Sequence, residues 1–230
     1  MNSKLFVGSD EQLHEVPDPE TPVFHPALKV AARVLTYIFH PAFVPLYAVF
    51  FLLYIHPYVF AGFSDRDKAF TLIQAFVNYT FFPIISVFLL RALNLIPSIT
   101  LKERRDRIIP FVISNIWYFW IWYVWRNLPE TPHELVVFSL GVFLASAIGL
   151  LFNIYMKVSM HAIALGVVAA FLIGLSPGLQ AGRDVYVSIG LLVTGLVCTS
   201  RLILSDHTAG EVYWGLAAGA IAVMLAYLTT

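Results

Sequence analysis

The segment Ser200-Arg201-Leu202-Ile203-Leu204-Ser205-Asp206-His207-Thr208-Ala209-Gly210-Glu211 lies between two long apolar stretches, Asp184 to Leu204 and Thr208 to Thr230. Ionisable groups are costly at membrane depth, so those that occur there face a cavity or a bundle interior and mark functional positions. On a helix that begins near His207, His207 and Glu211 stand one turn apart on one face. A carboxylate in that place holds an imidazole in one tautomer, the requirement for a nucleophilic or general-base histidine. The alternative is structural: Arg201 pairs with Asp206 or Glu211 and ties two helices together.

Two further clusters carry polar chemistry. Lys102-Glu103-Arg104-Arg105-Asp106-Arg107 holds four cations in six residues. Such a group can clamp phosphate oxygens through charge-assisted bonds. It can equally obey the positive-inside rule or attract anionic headgroups. Lys157-Val158-Ser159-Met160-His161 opens another apolar stretch. A lysine and a serine at a helix N-terminus form an anion site, and His161 can pass a proton to a leaving oxygen. Its plain alternative is an interfacial histidine bonded to a neighbour.

Elements must bring these clusters together, and the composition says of what kind. Of 230 residues, 59% are hydrophobic and 12% charged. The charged share is about half the ~25% of soluble domains, which defines an integral membrane protein in a lipid bilayer. Zero formal net charge removes a bulk basic field, and with it nucleic acid as a partner. Cys198 is the sole cysteine, which excludes an internal disulfide and a cysteine metal cage.

Residues 1–25 are polar, acidic and proline-containing, without a signal peptide, and read as a flexible tail. Residues 26–40 have the pattern of an interfacial helix, broken by His40-Pro41. Seven apolar stretches follow near 41–61, 68–92, 108–127, 134–154, 159–177, 184–204 and 208–229. Each is near the ~20 residues of a membrane crossing. The expected fold is an all-α polytopic transmembrane bundle of six to seven spanning helices, forming one domain over 41–230. Two stretches separate each cluster from the next, so all three clusters reach the same membrane face. His14, His25, His40, His56 and His133 read as interfacial or tail residues. The run from Trp117 to Trp125 reads as an aromatic belt or lipid-facing packing. Gly215 and Gly219 permit close helix approach within the bundle.

Two histidines, several cations and one orienting carboxylate make a phosphotransfer site. The motif Ser200-Arg201-x5-His207-x3-Glu211, preceded by Ser159-x-His161 and by Lys102, Arg107 and Pro110, resembles the type-2 phosphatidic acid phosphatase superfamily. Its motifs read K-x6-R-P, P-S-G-H and S-R-x5-H-x3-D. Ile109 stands where the family places the arginine before proline. Val158 and Met160 replace the proline and glycine of the second motif, and Glu211 replaces the aspartate of the third.

The resemblance implies a lipid phosphatase that works without metal or other cofactor, through a phosphohistidine on His207 oriented by Glu211. His161 would protonate the departing alkoxide and then activate water. Lys102, Arg107, Ser159 and Arg201 would hold the phosphoryl oxygens, assisted by Lys157 or Arg105. The implied substrate is a membrane lipid monophosphate or diphosphate, and the expected location is a bacterial inner membrane. Two other classes stand beside this one. A lipid-phosphate-binding protein that has lost turnover would account for Ile109, Val158 and Met160. A small transporter would use a His–Glu–Arg relay, although the sequence has neither an internal repeat nor paired broken helices.

Overall fold

A computed structural model describes residues 5–7, 13–15, 24–56, 58–98, 103–175 and 184–230. The protein is an all-α membrane bundle. A two-stranded antiparallel ribbon, β1 (Leu5–Val7) and β2 (Leu13–Glu15), precedes it. The helices are α1 (Pro26–Ile38), α2 (Val44–Phe50), α3 (Asp65–Ala75), α4 (Phe82–Ala92), α5 (Ile108–Asn127), α6 (His133–Tyr155), α7 (Met160–Leu175), α8 (Asp184–Ile203) and α9 (Ala209–Thr229). A π-helical segment, Phe51–Ile55, extends α2, and another, Phe76–Phe81, joins α3 to α4.

Five helical stretches are long and apolar enough to cross a bilayer: Asp65–Ala92, Arg105–Asn127, His133–Tyr155, Val185–Ile203 and Ala209–Thr229. The first and fifth expected stretches form shorter apolar helices, Val44–Ile55 and Met160–Leu175. At ~1.5 Å per residue the former is about 18 Å long, well below a ~30 Å hydrocarbon core. Its end has a local cause. His56 is extended (φ −69°, ψ 125°), as the residue before a proline prefers, so Pro57 stops a stretch expected to run to residue 61. The expected turn at 176–183 lies outside the described residues.

The core centres on α6, whose Leu135 to Val142 are buried without interruption, with α5, α7 and α9 around it. The closest approach joins α7 and α9. A methyl on Gly219 would run into the Ile163 carbonyl oxygen, and one on Gly215 would stand 2.9 Å from the Ser159 carbonyl oxygen. Small residues therefore let two backbones meet, as expected for contact within one bundle. Trp117 to Trp125 divides between two roles. Trp120 and Tyr123 are exposed on the bundle's outside, while Trp117 stacks on Phe82 at 3.8 Å and Trp125 is buried. Helix α1 packs against α8, burying Ala32 and Thr36 and exposing Val30, Val34, Tyr37 and Ile38.

Candidate active site

Helix α8 carries Arg201 in its last turn. Ser205 then takes a left-handed conformation (φ 56°), and the chain reverses into α9. Thr208 caps α9: its hydroxyl accepts from Glu211 N at 3.3 Å, and Glu211 Oε2 accepts from Thr208 N at 3.0 Å. This reciprocal capping box fixes the Glu211 side chain before any chemistry is asked of it.

The same oxygen meets His207. Nδ1 of His207 lies 3.1 Å from Glu211 Oε2 and 3.1 Å from the Lys157 carbonyl oxygen. Both neighbours are acceptors, so Nδ1 carries the proton and Nε2 presents its lone pair. Among the described residues Nε2 has no hydrogen-bond partner. Burial, then the Arg201 cation, push the His207 pKa down from 6.5 to about 4, against the opposing pull of Glu211. The ring is neutral at pH 7, and its free nitrogen is the nucleophilic one.

The second cluster closes on the third. Ser159 N donates to the Glu211 carbonyl at 3.2 Å, and Lys157 Nζ donates to the Asp206 carbonyl at 3.3 Å. Ser159 is fully buried, and its hydroxyl accepts from Ala162 N at 3.4 Å at the start of α7. Buried His161 points Nε2 at the Thr36 carbonyl oxygen of α1, 3.2 Å away. That oxygen can only accept, so Nε2 carries a proton and Nδ1 is the nitrogen available for chemistry.

From the first cluster the buried residue is Arg107, whose Nη1 donates to the Val158 carbonyl at 3.0 Å. Arg104 anchors it: Nη1 donates to the Tyr155 carbonyl at 2.7 Å and to that of Ile154 at 3.2 Å, closing the end of α6. Asn153 Nδ2 donates back to the Arg104 carbonyl at 2.8 Å. Ile109, where the family has arginine, is exposed on the outside of α5, so Arg107 supplies the inward charge. Arg105 is exposed, and Lys102 lies outside the described residues.

Arg201 is buried and pairs through Nη2 with Asp206 Oδ2 at 2.9 Å. That is the structural ion pair the sequence allows, yet it leaves Arg201 Nε buried and, among the described residues, without a partner. A buried, unpaired guanidinium donor is costly, and an anion or a water molecule beside it can satisfy it. Arg201 also acts electrostatically on His40 and His207.

His207, His161, Ser159, Lys157, Arg107, Arg201 and Glu211 thus gather at one end of the bundle. Sequence reasoning missed His40, whose ring stands edge-on to His161 with centroids 5.7 Å apart. It also missed the Thr36 carbonyl, and it counted Arg104 among the cations of the first cluster without foreseeing that it anchors the end of α6. The Thr208-x-x-Glu211 pattern was a readable capping box, whereas nothing separates His40 from the other histidines at segment ends. No protein-family model, curated protein or solved structure matches the chain.

Proposed function

We propose that this membrane protein is a lipid phosphatase acting through a phosphohistidine on His207, as the resemblance of its motifs to the type-2 phosphatidic acid phosphatases implies. The observation that carries the reading is the imidazole of His207, held by Glu211 through Nδ1 and offering a neutral Nε2. Arg201 and Arg107 are close enough to act on its charge. Fixed cations around a nucleophile supply what phosphoryl transfer needs, positioning and charge stabilisation.

In the first step Nε2 of His207 bonds to phosphorus, and the bond from phosphorus to the lipid oxygen breaks. The leaving oxygen takes a proton from Nδ1 of a protonated His161, while Nε2–H of His161 stays on the Thr36 carbonyl. In the second step His161 takes a proton from water, the water oxygen attacks phosphorus, and the bond to His207 breaks to release phosphate. A lipid substrate is supported by the exposed apolar side chains of Ile108, Ile109 and Leu202, chain neighbours of Arg107 and Arg201. A bacterial inner membrane is the proposed location.

A second reading, lipid-phosphate binding without turnover, is favoured by one observation: Ser159 and His161 each spend a polar atom on the protein itself. Phosphate release in detergent with EDTA, from phosphatidic acid, phosphatidylglycerol phosphate and undecaprenyl diphosphate, separates the two. The phosphatase reading expects release that is lost in His207→Ala. Binding-only behaviour expects lipid retention by wild type and His207→Ala alike, with no phosphate from either.

A further inference from the structure

Two cavities lie along α5. One, about 70 Å³, is lined by Phe111, Ser114, Tyr118, Ser146 and Met160 and adjoins the site through Met160, the neighbour of His161. The other, about 210 Å³, lies towards the opposite end and is lined by Asp67, Gln74, Trp125 and Glu130 among others. Phe111 and Trp125 are fourteen residues apart on one helix, a rise of ~21 Å, so together the cavities cover most of the bundle's depth.

Tyr79 stands between them. Its ring centroid is 5.5 Å from that of Tyr118, on the wall of the first cavity, and 6.1 Å from that of Trp125, on the wall of the second. Tyr79 is fully buried, and its hydroxyl has no hydrogen-bond partner among the described residues. The adjacent Asn78 is buried too, with Oδ1 unpartnered among the described residues, although its Nδ2 donates to the Gln74 carbonyl at 2.9 Å. Gln74 Oε1 accepts from Trp125 Nε1 at 3.0 Å, which continues the polar line to the second cavity.

Two orphaned polar atoms on consecutive residues require an explanation, since buried polar groups find partners in protein or in water. The backbone offers another sign. Asn78 and Tyr79 lie in the π-helical segment Phe76–Phe81, and π-helical turns within α-helices are frequent at functional positions.

We propose that a file of water molecules occupies the seam around Asn78 and Tyr79 and joins the two cavities. Its ligand is water: Tyr79 donates and accepts, Asn78 Oδ1 accepts, and the hydroxyls of Tyr118 and Ser114 continue the path. The file connects the end of the bundle at Asp67 and Glu130 with the end that holds His161. It would bring water and protons to the site from the opposite side of the membrane, but its presence does not depend on phosphatase activity.

Hydroxyl-radical footprinting of the full chain in nanodiscs tests this without reference to turnover. Water beside a ring generates the radical in place, so Tyr79 and Tyr118 should be oxidised at rates approaching that of Tyr58, exposed in the turn between α2 and α3. They should exceed the fully buried Phe171, which lines neither cavity, by on the order of tenfold. Tyr79→Phe supplies a second readout. Removing the hydroxyl from a hydrated seam costs the water a partner, so the Tm of the full chain should fall. Labelling of Tyr79 no faster than that of Phe171, or a Tm that rises because an unpaired hydroxyl has left a dry site, would overturn the proposal.

Discussion

Glu211 performs two tasks with one carboxylate oxygen: Oε2 caps α9 through Thr208 N and orients the His207 ring through Nδ1. Glu211→Gln keeps the size and an acceptor but removes the charge that steadies an imidazolium. Steady-state assays should show kcat reduced roughly 10²–10⁴-fold with KM little changed, because the interaction grows as charge develops on the ring. The pH dependence follows from His207. Its nucleophilic form is neutral, so the acid limb of the rate profile should fall near pH 4, where burial and Arg201 have placed its pKa, and not near 6.5. Arg201→Gln lowers the rate and moves that limb upward, since the cation opposing protonation is gone. Stability carries the same sign. A histidine held neutral in the fold binds fewer protons than in the unfolded chain, so its contribution is whole above pH 6.5 and lost as pH falls through about 4, which denaturant titration at several pH values would read. At this scale the spacing of Arg201, His207 and Glu211 was legible because one helical turn relates the last two. Which of Arg104, Arg105 and Arg107 takes the place of the arginine absent at residue 109 was not, because the turn that starts α5 sets which side chain points in.

Elements position these side chains through a few contacts that exclude alternatives. Ser159 N bonds the Glu211 carbonyl because α7 and α9 approach closely along Gly215 and Gly219. Gly219→Ala drives a methyl towards the Ile163 carbonyl and should destabilise the bundle by about 1–3 kcal/mol, the usual cost of overpacking. A lowered denaturation midpoint would register it, together with reduced activity, as His207 moves relative to Lys157. Arg104 illustrates a charge that builds the site without entering it. Arg104→Ala removes the donor to the Ile154 and Tyr155 carbonyls and frees the segment carrying Arg107. The expected result is a higher KM for lipid phosphate, with the pH limb of His207 near its wild-type position. Helix boundaries were readable wherever proline or a cap ended an apolar run, as at His40-Pro41 and Thr208. The two π-helical segments were not, since apolar composition is indifferent to whether the backbone bonds four or five residues back.

For the whole molecule, an even number of apolar stretches between clusters was enough to expect them at one end, and the structure joins them there by direct hydrogen bonds. That joining depends on the bundle of α5, α6, α7 and α9, whose mutual packing no single stretch of sequence displays. It also depends on α1, which lends the Thr36 carbonyl to His161 across 125 residues of chain. Covalent capture of phosphate on the protein addresses the central claim most directly. A lipid phosphate labelled at its terminal phosphoryl group is mixed with the protein, quenched in alkali and examined by mass spectrometry. The account predicts an alkali-stable, acid-labile phosphoryl group on His207, absent in His207→Ala and more persistent when His161→Ala slows its hydrolysis. Phosphate release by wild type with no label on His207, or label that survives His207→Ala, would contradict it.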